Sequence, residues 1–176
     1  MNPSEPAKWL PIRVEAMTEA DLPAVLAIER ASFPAPWPRG TFLGELRDNR
    51  VAHLFVACVV EGTRRRRVVG YICALAVVDE FHITNVAVHP AFRRQHVGQQ
   101  LLQGVLARAH ELGCRQAVLE VRASNTGAQR MYARFGFAPV AVRKHYYNDN
   151  NEDAIVMFLN AIDPQPRHAS TRPPAS

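Results

Sequence analysis

The sequence is poor in lysine, in cysteine and in long apolar runs. Of its 21 basic residues only Lys8 and Lys144 are lysines, and the other 19 are arginines. The three cysteines are scattered, without a Cys-x-x-Cys pair or a neighbouring histidine cluster, which argues against a disulfide framework and against a zinc site. The longest nearly apolar run, Val68 to Val78, has about half of the roughly 20 residues that a membrane-spanning helix needs. We therefore expect neither a disulfide scaffold nor a membrane helix.

What is present is the composition of an ordinary globular protein. Of the 176 residues 48% are hydrophobic and 21% are charged, enough for one domain with a buried core. No apolar stretch of signal-peptide type follows Met1 to Pro11, so we expect a cytoplasmic protein. The net charge of +5 comes from arginine, whose planar group pairs with phosphates and carboxylates. That fits a phosphate-bearing ligand, although a GC-rich genome would give the same bias.

Hydrophobic periodicity predicts the order β-α-α-β-β-β-α-β-α-β-β, which is typical of an α/β chain with a mixed sheet. The expected strands are Ile12 to Ala16, Val51 to Val60, Val68 to Val78, Phe81 to Val88, Gln116 to Val121, Phe137 to Tyr147 and Ala154 to Leu159. The first expected helix is capped by Thr18, with Asp21 three residues on, and the others begin at Arg39, Val97 and Asn125. The last two end at Gly113 and Gly136. Arg64 to Arg67 is interpreted as a solvated hairpin turn rather than a nucleic-acid patch. The domain is expected over residues 12–162, between an N-terminal extension (1–11) and a disordered proline-rich tail (163–176).

One loop is a candidate phosphate site. Arg93-Arg94-Gln95-His96-Val97-Gly98 leads directly into a helix, whose first amides and positive dipole end attract anions. Basic turns before helices are often only solvated surface, and the segment alone does not separate the two interpretations.

Three further residues have both a structural and a chemical interpretation. Glu120 is an acid within an aliphatic strand, which suits either a catalytic base or an ion pair with Arg122 on the same strand face. Tyr132 lies on the next helix, where an aromatic side chain is more often part of the core than catalytic. Asn125 is most simply a helix cap.

Together these residues resemble the GNAT acetyltransferases over roughly Ile12 to Ala161. The resemblance is carried by Thr84 to Pro90, by the loop Arg93 to Gly98 and by the spacing Asn125…Tyr132…Gly136-Phe137. Five segments resemble, more narrowly, the bacterial ribosomal-protein alanine N-acetyltransferases (the RimI family): Phe33 to Trp37, Asp79-Glu80, Leu119 to Asn125, Arg143 to Tyr147 and Glu152 to Met157. The resemblance implies a single-domain GNAT fold, a mixed and mostly antiparallel sheet of about seven strands flanked by about four helices.

The resemblance also implies the roles of individual residues, with acetyl-CoA as co-substrate and no metal. Glu120 would accept a proton through water, and Tyr132 would protonate the leaving thiolate. The cofactor would be bound by backbone groups of Val86, Ala87 and Val88, by amides of Arg93, Arg94, Gln95, His96, Val97 and Gly98, and by Asn125. The incoming peptide N-terminus would be bracketed by Pro36, Trp37, Tyr146 and Tyr147, with Glu80 near its ammonium group.

The loop departs from the family pattern Gln/Arg-x-x-Gly-x-Gly/Ala, because His96 occupies the first glycine position. Its ring would either crowd the pyrophosphate or donate to it. The expected function is acetyl transfer to a protein N-terminal amine, in the first place the N-terminal alanine of small ribosomal subunit protein eighteen, and also other protein N-termini. It requires neither a membrane nor direct nucleic-acid binding. A small-molecule amine acetyltransferase and a non-catalytic GNAT-fold binding module remain as alternatives.

Overall fold

The computed structural model describes residues 11–61 and 65–163 of the chain. The strands in these residues are β1 (Ile12–Ala16), β2 (Ala52–Glu61), β3 (Arg65–Val77), β4 (Glu80–Val88), β5 (Gln116–Arg122), β6 (Ala138–Tyr147) and β7 (Glu152–Leu159). The α-helices are α1 (Leu22–Ser32), α2 (Arg39–Arg47), α3 (Val97–Glu111) and α4 (Thr126–Arg134). The strands form one mixed sheet in the order β1-β2-β3-β4-β5-β7-β6. The predicted fold class and order of elements are confirmed.

The described residues group into two compact units. The first contains the described residues up to Leu75 together with Thr84–Val105, and the second contains Ala76–Ile83 together with the described residues from Leu106 onward. Apart from Pro11 and Asp163, the predicted N-terminal extension and tail lie outside the described residues.

The first unit contains α1 and α2 together with strands β1, β2 and β3, and β2 pairs antiparallel with both β1 and β3. α1 buries Leu22, Val25 and Ile28, which recur at the spacing of one helix face. These side chains belong to a core that includes Phe42 and Tyr71.

A close approach at Gly70 explains the glycine in the middle of β3. A Cβ atom there would lie 3.0 Å from the carbonyl oxygen of Ala87 and 3.1 Å from Cδ1 of Leu101. Both distances are shorter than ordinary van der Waals contact, so a residue without a side chain lets β4 and α3 approach β3.

In the second unit, β5 is the strand that carries candidate chemistry. It pairs antiparallel with β7, from Ala117↔Leu159 to Arg122↔Ala154, and parallel with the first four residues of β4. Its alternation buries Ala117, Leu119 and Val121 and leaves the side chain of Glu120 on the opposite face of the strand.

One local prediction was wrong. The turn predicted at Arg64 to Arg67 is displaced, because β3 already begins at Arg65 and the connection falls on residues 62–64, outside the described residues. Within β3, Arg66 forms ion pairs with Glu15 (2.8 Å) and Asp21 (2.6 Å), which stabilise an arginine in a strand.

The predicted cap of the first helical segment is confirmed, because Thr18 is the N-cap and forms a capping box with Asp21. Thr18 precedes a short 3₁₀ turn, Glu19–Asp21, and α1 begins only at Leu22. Pro23 lies in the first turn of α1, where its missing N–H costs no helical hydrogen bond. The Asp21 carboxylate accepts hydrogen bonds from the amide (2.9 Å) and hydroxyl (3.0 Å) of Thr18.

Candidate active site

The predicted phosphate loop lies in the first unit and is held by its own side chains. The Arg93 guanidinium donates to the carbonyl of Val88 (3.1 Å) and to the hydroxyl of Ser32 (3.2 Å). The Gln95 amide donates to the carbonyl of Ala91 (3.0 Å). Arg94 is exposed and has φ +63°. The loop therefore leads into the first turn of α3 in a defined conformation.

His96 adopts a backbone conformation that favours glycine. Its φ is +61°, in the left-handed region where a side chain costs about 1–2 kcal/mol. The carbonyl of His96 accepts from the amide of Gln100 (3.1 Å), and its ring nitrogen Nδ1 lies 3.0 Å from Oε1 of Gln99. The geometry at this position is thus the one that the glycine of the family pattern would adopt without strain.

The end of β4 precedes this loop. Ala87 is buried, whereas Val86 and Val88 are half-buried. The amide of His89 donates to the carbonyl of Val69 (2.8 Å), which fixes the strand end within the first unit.

Glu120 lies in the second unit, with 9% of its side chain exposed. Its Oε2 is 3.0 Å from Nε2 of His82. Its Oε1 is 3.2 Å from Nη2 of Arg143, and no described residue makes an aligned hydrogen bond to Oε1. One oxygen of a nearly buried carboxylate thus lies within ion-pair distance of an arginine but receives no aligned hydrogen bond from the described residues.

The ion pair between Glu120 and Arg122, weighed from the sequence, does not form. Arg122 instead binds Asp149 with two hydrogen bonds of 2.9 Å and Glu152 with one of 3.1 Å. Its guanidinium also stacks on the ring of Tyr147, 3.9 Å from the ring centre. Asp149 and Glu152 follow β6, so the acids that attract Arg122 come from a distant part of the sequence.

Glu152 is the second partner in this network. Hydrogen bonds from Ser124, including one of 2.7 Å from its amide, lower the pKa of Glu152 to about 2. The segment after β5 is thereby connected to the start of β7 by a carboxylate that is charged near neutral pH.

Tyr132 is buried on α4, with 7% of its surface exposed, and packs against Phe137 at 5.9 Å between ring centres. Burial raises the pKa of Tyr132 well above its ordinary value of 10. The phenol is protonated at neutral pH, as a tyrosine with the ordinary pKa would also be, so it carries a proton that it can donate.

Asn125 begins α4, where its side-chain oxygen accepts from the amide of Ala128 (3.1 Å). This is the helix cap expected from the sequence.

The residues predicted to bracket a peptide divide between the units. Pro36 (exposed) and Trp37 (half-buried) lie in the connection from α1 to α2, in the first unit. Tyr146 and Tyr147 end β6 in the second unit, where their rings meet edge to face at 5.2 Å. Burial raises the pKa of Tyr147 to about 12. Glu80 is the first residue of β4 and is half-buried.

Sequence reasoning missed His82 and Arg143 as neighbours of Glu120. His82 alternates with buried Phe81 and Ile83, and the parallel register places it opposite Val118, one step along the same face from Glu120. Only the strand pairing reveals this contact, because a lone histidine in a strand has no diagnostic spacing.

The described ranges contain neither a metal-binding cluster nor a membrane-spanning helix. Among residues 11–61 and 65–163, no group of three or more His, Cys, Asp or Glu side chains is arranged to hold a metal ion. Within the same ranges, no helix is long and apolar enough to cross a membrane.

Comparison with known proteins defines the class. The model of the acetyltransferase (GNAT) family matches residues 22–137, about two thirds of the chain. The chain therefore belongs to the GNAT acetyltransferases, and the protein is an acyltransferase.

The relatives of the chain show which kind of acetyltransferase it is within this family. A [ribosomal protein bS18]-alanine N-acetyltransferase from Escherichia coli is 30% identical over 148 residues, which cover 83% of this chain and 95% of the relative. A Bacillus subtilis relative whose name gives the same activity provisionally is 37% identical over 146 residues, 83% of this chain and 93% of the relative. The crystal structure of the ribosomal-protein-S18-alanine N-acetyltransferase from Escherichia coli superposes with a TM-score of 0.75 at 31% identity, covering 86% of this chain and 94% of that chain. The chain is accordingly an N-acetyltransferase of the RimI type.

Proposed function

We propose that the protein transfers the acetyl group of acetyl-CoA to the α-amine of a protein N-terminus, and that its principal acceptor is the N-terminal alanine of ribosomal protein bS18. The names of the relatives support this acceptor. An N-alpha-acetyltransferase from Sulfurisphaera tokodaii, 30% identical over 170 residues that cover 89% of this chain and 98% of the relative, supports the wider class of protein N-termini. Action in the cytoplasm stays a prediction.

The choice of an α-amine agrees with simple acid–base chemistry. An α-amino group with a pKa of about 8 is roughly one tenth deprotonated at pH 7, whereas a lysine side chain near 10.4 is free in only about one molecule in two thousand. A modest base is therefore sufficient for an N-terminus. Direct attack of the amine also needs no cysteine nucleophile, in keeping with the burial of Cys58, Cys73 and Cys114.

Residues of the first unit fit the cofactor by their chemistry. When bound, acetyl-CoA supplies an activated acetyl thioester. Amides at the start of α3, together with exposed Arg94, provide donors and positive charge for a pyrophosphate. In this proposal the backbone of Val86 to Val88 binds the pantetheine arm and the amides of Arg93 to Gly98 bind the pyrophosphate. Asn125, in the second unit, contacts the cofactor through groups that its capping bond does not use.

Glu120 is the proposed proton acceptor, and the observation that carries this assignment is its Oε1, which lies 3.2 Å from Nη2 of Arg143 but receives no aligned hydrogen bond from the described residues. A carboxylate oxygen in that state has a lone pair with which to accept a proton. It can take the amine proton, through water, while Oε2 keeps its contact with His82.

Tyr132 is the proposed proton donor. The phenol holds its proton throughout the neutral range. In the proposal it gives that proton to the departing thiolate sulfur. Pro36, Trp37, Glu80, Tyr146 and Tyr147 are proposed to receive the peptide N-terminus.

The test is acetylation of a peptide panel, read by mass spectrometry. A peptide beginning Ala-Arg-Tyr is expected to gain one acetyl group at its α-amine. The matched control is the same peptide with a blocked N-terminus and an internal lysine, which is expected to stay unmodified. Equal labelling of the two peptides would contradict the proposal.

A non-catalytic binding module is the alternative that the strained His96 favours, since a side chain in the phosphate loop can weaken cofactor binding. Thermal unfolding with acetyl-CoA separates the two. A ligand at one hundred times its Kd stabilises the folded state by about 2.7 kcal/mol. Absence of any stabilisation at millimolar acetyl-CoA would favour a module that has lost the cofactor.

A further inference from the structure

Glu29 is a second nearly buried carboxylate, and the mechanism above does not use it. It lies on α1 with 1% of its surface exposed. No lysine, arginine or histidine of the described ranges forms an ion pair with it. Burying an uncompensated carboxylate costs several kcal/mol, and an aliphatic residue would fill the same helix face without that cost. A carboxylate at this buried position therefore points to a role other than core packing.

The Glu29 side chain is satisfied by neutral donors from three separate segments. The amide of Trp37 donates to Oε1 (2.8 Å), and the phenol of Tyr71 donates to Oε2. The Nδ2 atom of Asn85 lies 3.4 Å from each oxygen. Burial raises the pKa of Glu29, in agreement with the lack of a cationic partner. One carboxyl group thus joins α1 to the connection that follows it, to β3 and to β4.

These contacts close a ring around the connection between α1 and α2. The Trp37 indole lies 5.5 Å from the ring of Phe42, and Phe42 meets Tyr71 edge to face at 5.7 Å. Tyr71 in turn donates to Glu29, which binds the Trp37 amide. Trp37 is therefore fixed both through its backbone and through its side chain.

Asn85, the third donor to Glu29, directly precedes Val86 to Val88. A hydrogen-bonded carboxylate between Trp37 and Asn85 connects the segment proposed to bind the acceptor with the strand proposed to bind pantetheine. All of these residues belong to the first unit.

We propose that Glu29 is a positioning residue that fixes the connection carrying Pro36 and Trp37 in the conformation that receives the peptide N-terminus. The inference rests on the proposed function, because it takes Trp37 as part of the acceptor site. Glu29 does not contact the reacting atoms. Its effect falls on acceptor binding rather than on the chemical step.

The test compares Glu29→Gln with a matched control, Asp21→Asn. Glutamine has the same size but cannot accept from all three donors. Asp21 is the other buried acid of the first unit, with 4% exposure, and its partners Thr18 and Arg66 are outside the proposed site. For Glu29→Gln we expect the KM for an Ala-Arg-Tyr peptide to rise about tenfold, the scale for losing a hydrogen bond to a charged group, with kcat and the Kd for acetyl-CoA nearly unchanged. For Asp21→Asn we expect a lower Tm and an unchanged peptide KM.

A second readout does not depend on activity. The sequence contains two tryptophans, Trp9 and Trp37, so a Trp9→Phe background isolates the fluorescence of Trp37. Glu29→Gln should increase the quenching of Trp37 by acrylamide, whereas Asp21→Asn should not. Tyr71→Phe, which keeps the bond from the Trp37 amide, should give a smaller increase.

The outcomes separate the two proposals. A raised peptide KM together with increased quenching supports the role of Glu29. An unchanged KM, or a loss of activity that Asp21→Asn matches, overturns it while leaving the peptide acetylation of the parent protein intact. If the parent protein acetylates no peptide, the proposed function fails, and unchanged Trp37 quenching in Glu29→Gln would separately overturn the positioning role.

Discussion

The two nearly buried glutamates of this protein, one in each unit, have opposite environments. Glu29 has neutral donors on both oxygens and no cationic partner among the described residues. Glu120 has a histidine beside one oxygen and an arginine beside the other, and that second oxygen receives no aligned hydrogen bond. The carboxyl group of Glu29 is bonded to three separate segments and can hold them in place, whereas Oε1 of Glu120 has a lone pair available for a proton. Burial alone would not have separated these roles.

Replacing Glu120 is expected to have the largest effect. Glu120→Gln keeps the size of the side chain and removes its basicity, so kcat should fall by about a hundredfold to ten-thousandfold. The deficit should be greatest at low pH, where the amine most needs a proton acceptor, and should narrow above the pKa of the amine. Steady-state rates from pH 6 to 9 measure it. A normal kcat throughout that range would show that the glutamate is structural.

Tyr132→Phe is expected to cause the next largest loss of kcat. It removes one hydroxyl group and keeps the ring against Phe137, so kcat should fall by about a hundredfold while the Kd for acetyl-CoA is nearly unchanged. The Kd for acetyl-CoA is measured by calorimetry and the rate of acetyl transfer by single-turnover kinetics. A rise in Kd in step with the loss of rate would make the phenol a binding group instead of an acid.

The pH dependence of stability sharpens the comparison, because groups with shifted pKa values change the stability in different pH windows. The pKa of Glu29 is raised above its ordinary value of 4.5, so the folded state holds more protons and its stability falls as pH rises through that window. The pKa of Glu152 is lowered to about 2, so its contribution is complete above about pH 4.5 and is lost as pH falls toward 2. Denaturant unfolding between pH 2 and 7 should show a shallower acid limb in Glu152→Gln and a shallower decline above pH 4.5 in Glu29→Gln. Parallel curves for the parent protein and both variants would contradict these assignments.

The smallest expected effect is at His96. Its φ of +61° favours glycine, so His96→Gly should relieve backbone strain and raise the Tm. Because the change also removes a ring that would crowd the pyrophosphate, acetyl-CoA binding should tighten a few-fold. The matched control is Gln95→Gly, which removes the hydrogen bond to Ala91 from the same loop and should weaken binding. If His96→Gly instead weakens binding several-fold, the ring donates to the pyrophosphate.

The order of elements could be predicted because strands and helices each repeat their apolar residues at a fixed period. β1 was predicted with its observed bounds, and the starts of α2 and α3 at Arg39 and Val97 were predicted as well. The roles of single polar residues were harder. From the sequence, Arg122 was considered as an ion-pair partner of Glu120. Its actual partners, Asp149 and Glu152, lie 27 and 30 residues further along the chain, so no local pattern indicated them.

Glu29 shows the same limit more strongly. On the sequence it follows Ile28 as an ordinary charged residue at the edge of an apolar helix face. Its donors Tyr71 and Asn85 are 42 and 56 residues away, so nothing local indicates that the carboxyl group is buried. Periodicity predicts which face of a helix is buried, but only the tertiary structure shows which polar groups find partners there.

The most direct test of the contrast between the two glutamates is to measure kcat and peptide KM for Glu29→Gln and Glu120→Gln in one experiment. The measurement uses an Ala-Arg-Tyr peptide and saturating acetyl-CoA at pH 7. The account predicts that Glu120→Gln lowers kcat at least a hundredfold with a nearly unchanged KM, and that Glu29→Gln raises KM about tenfold with a nearly unchanged kcat. Equal changes in kcat and KM for the two variants would contradict it.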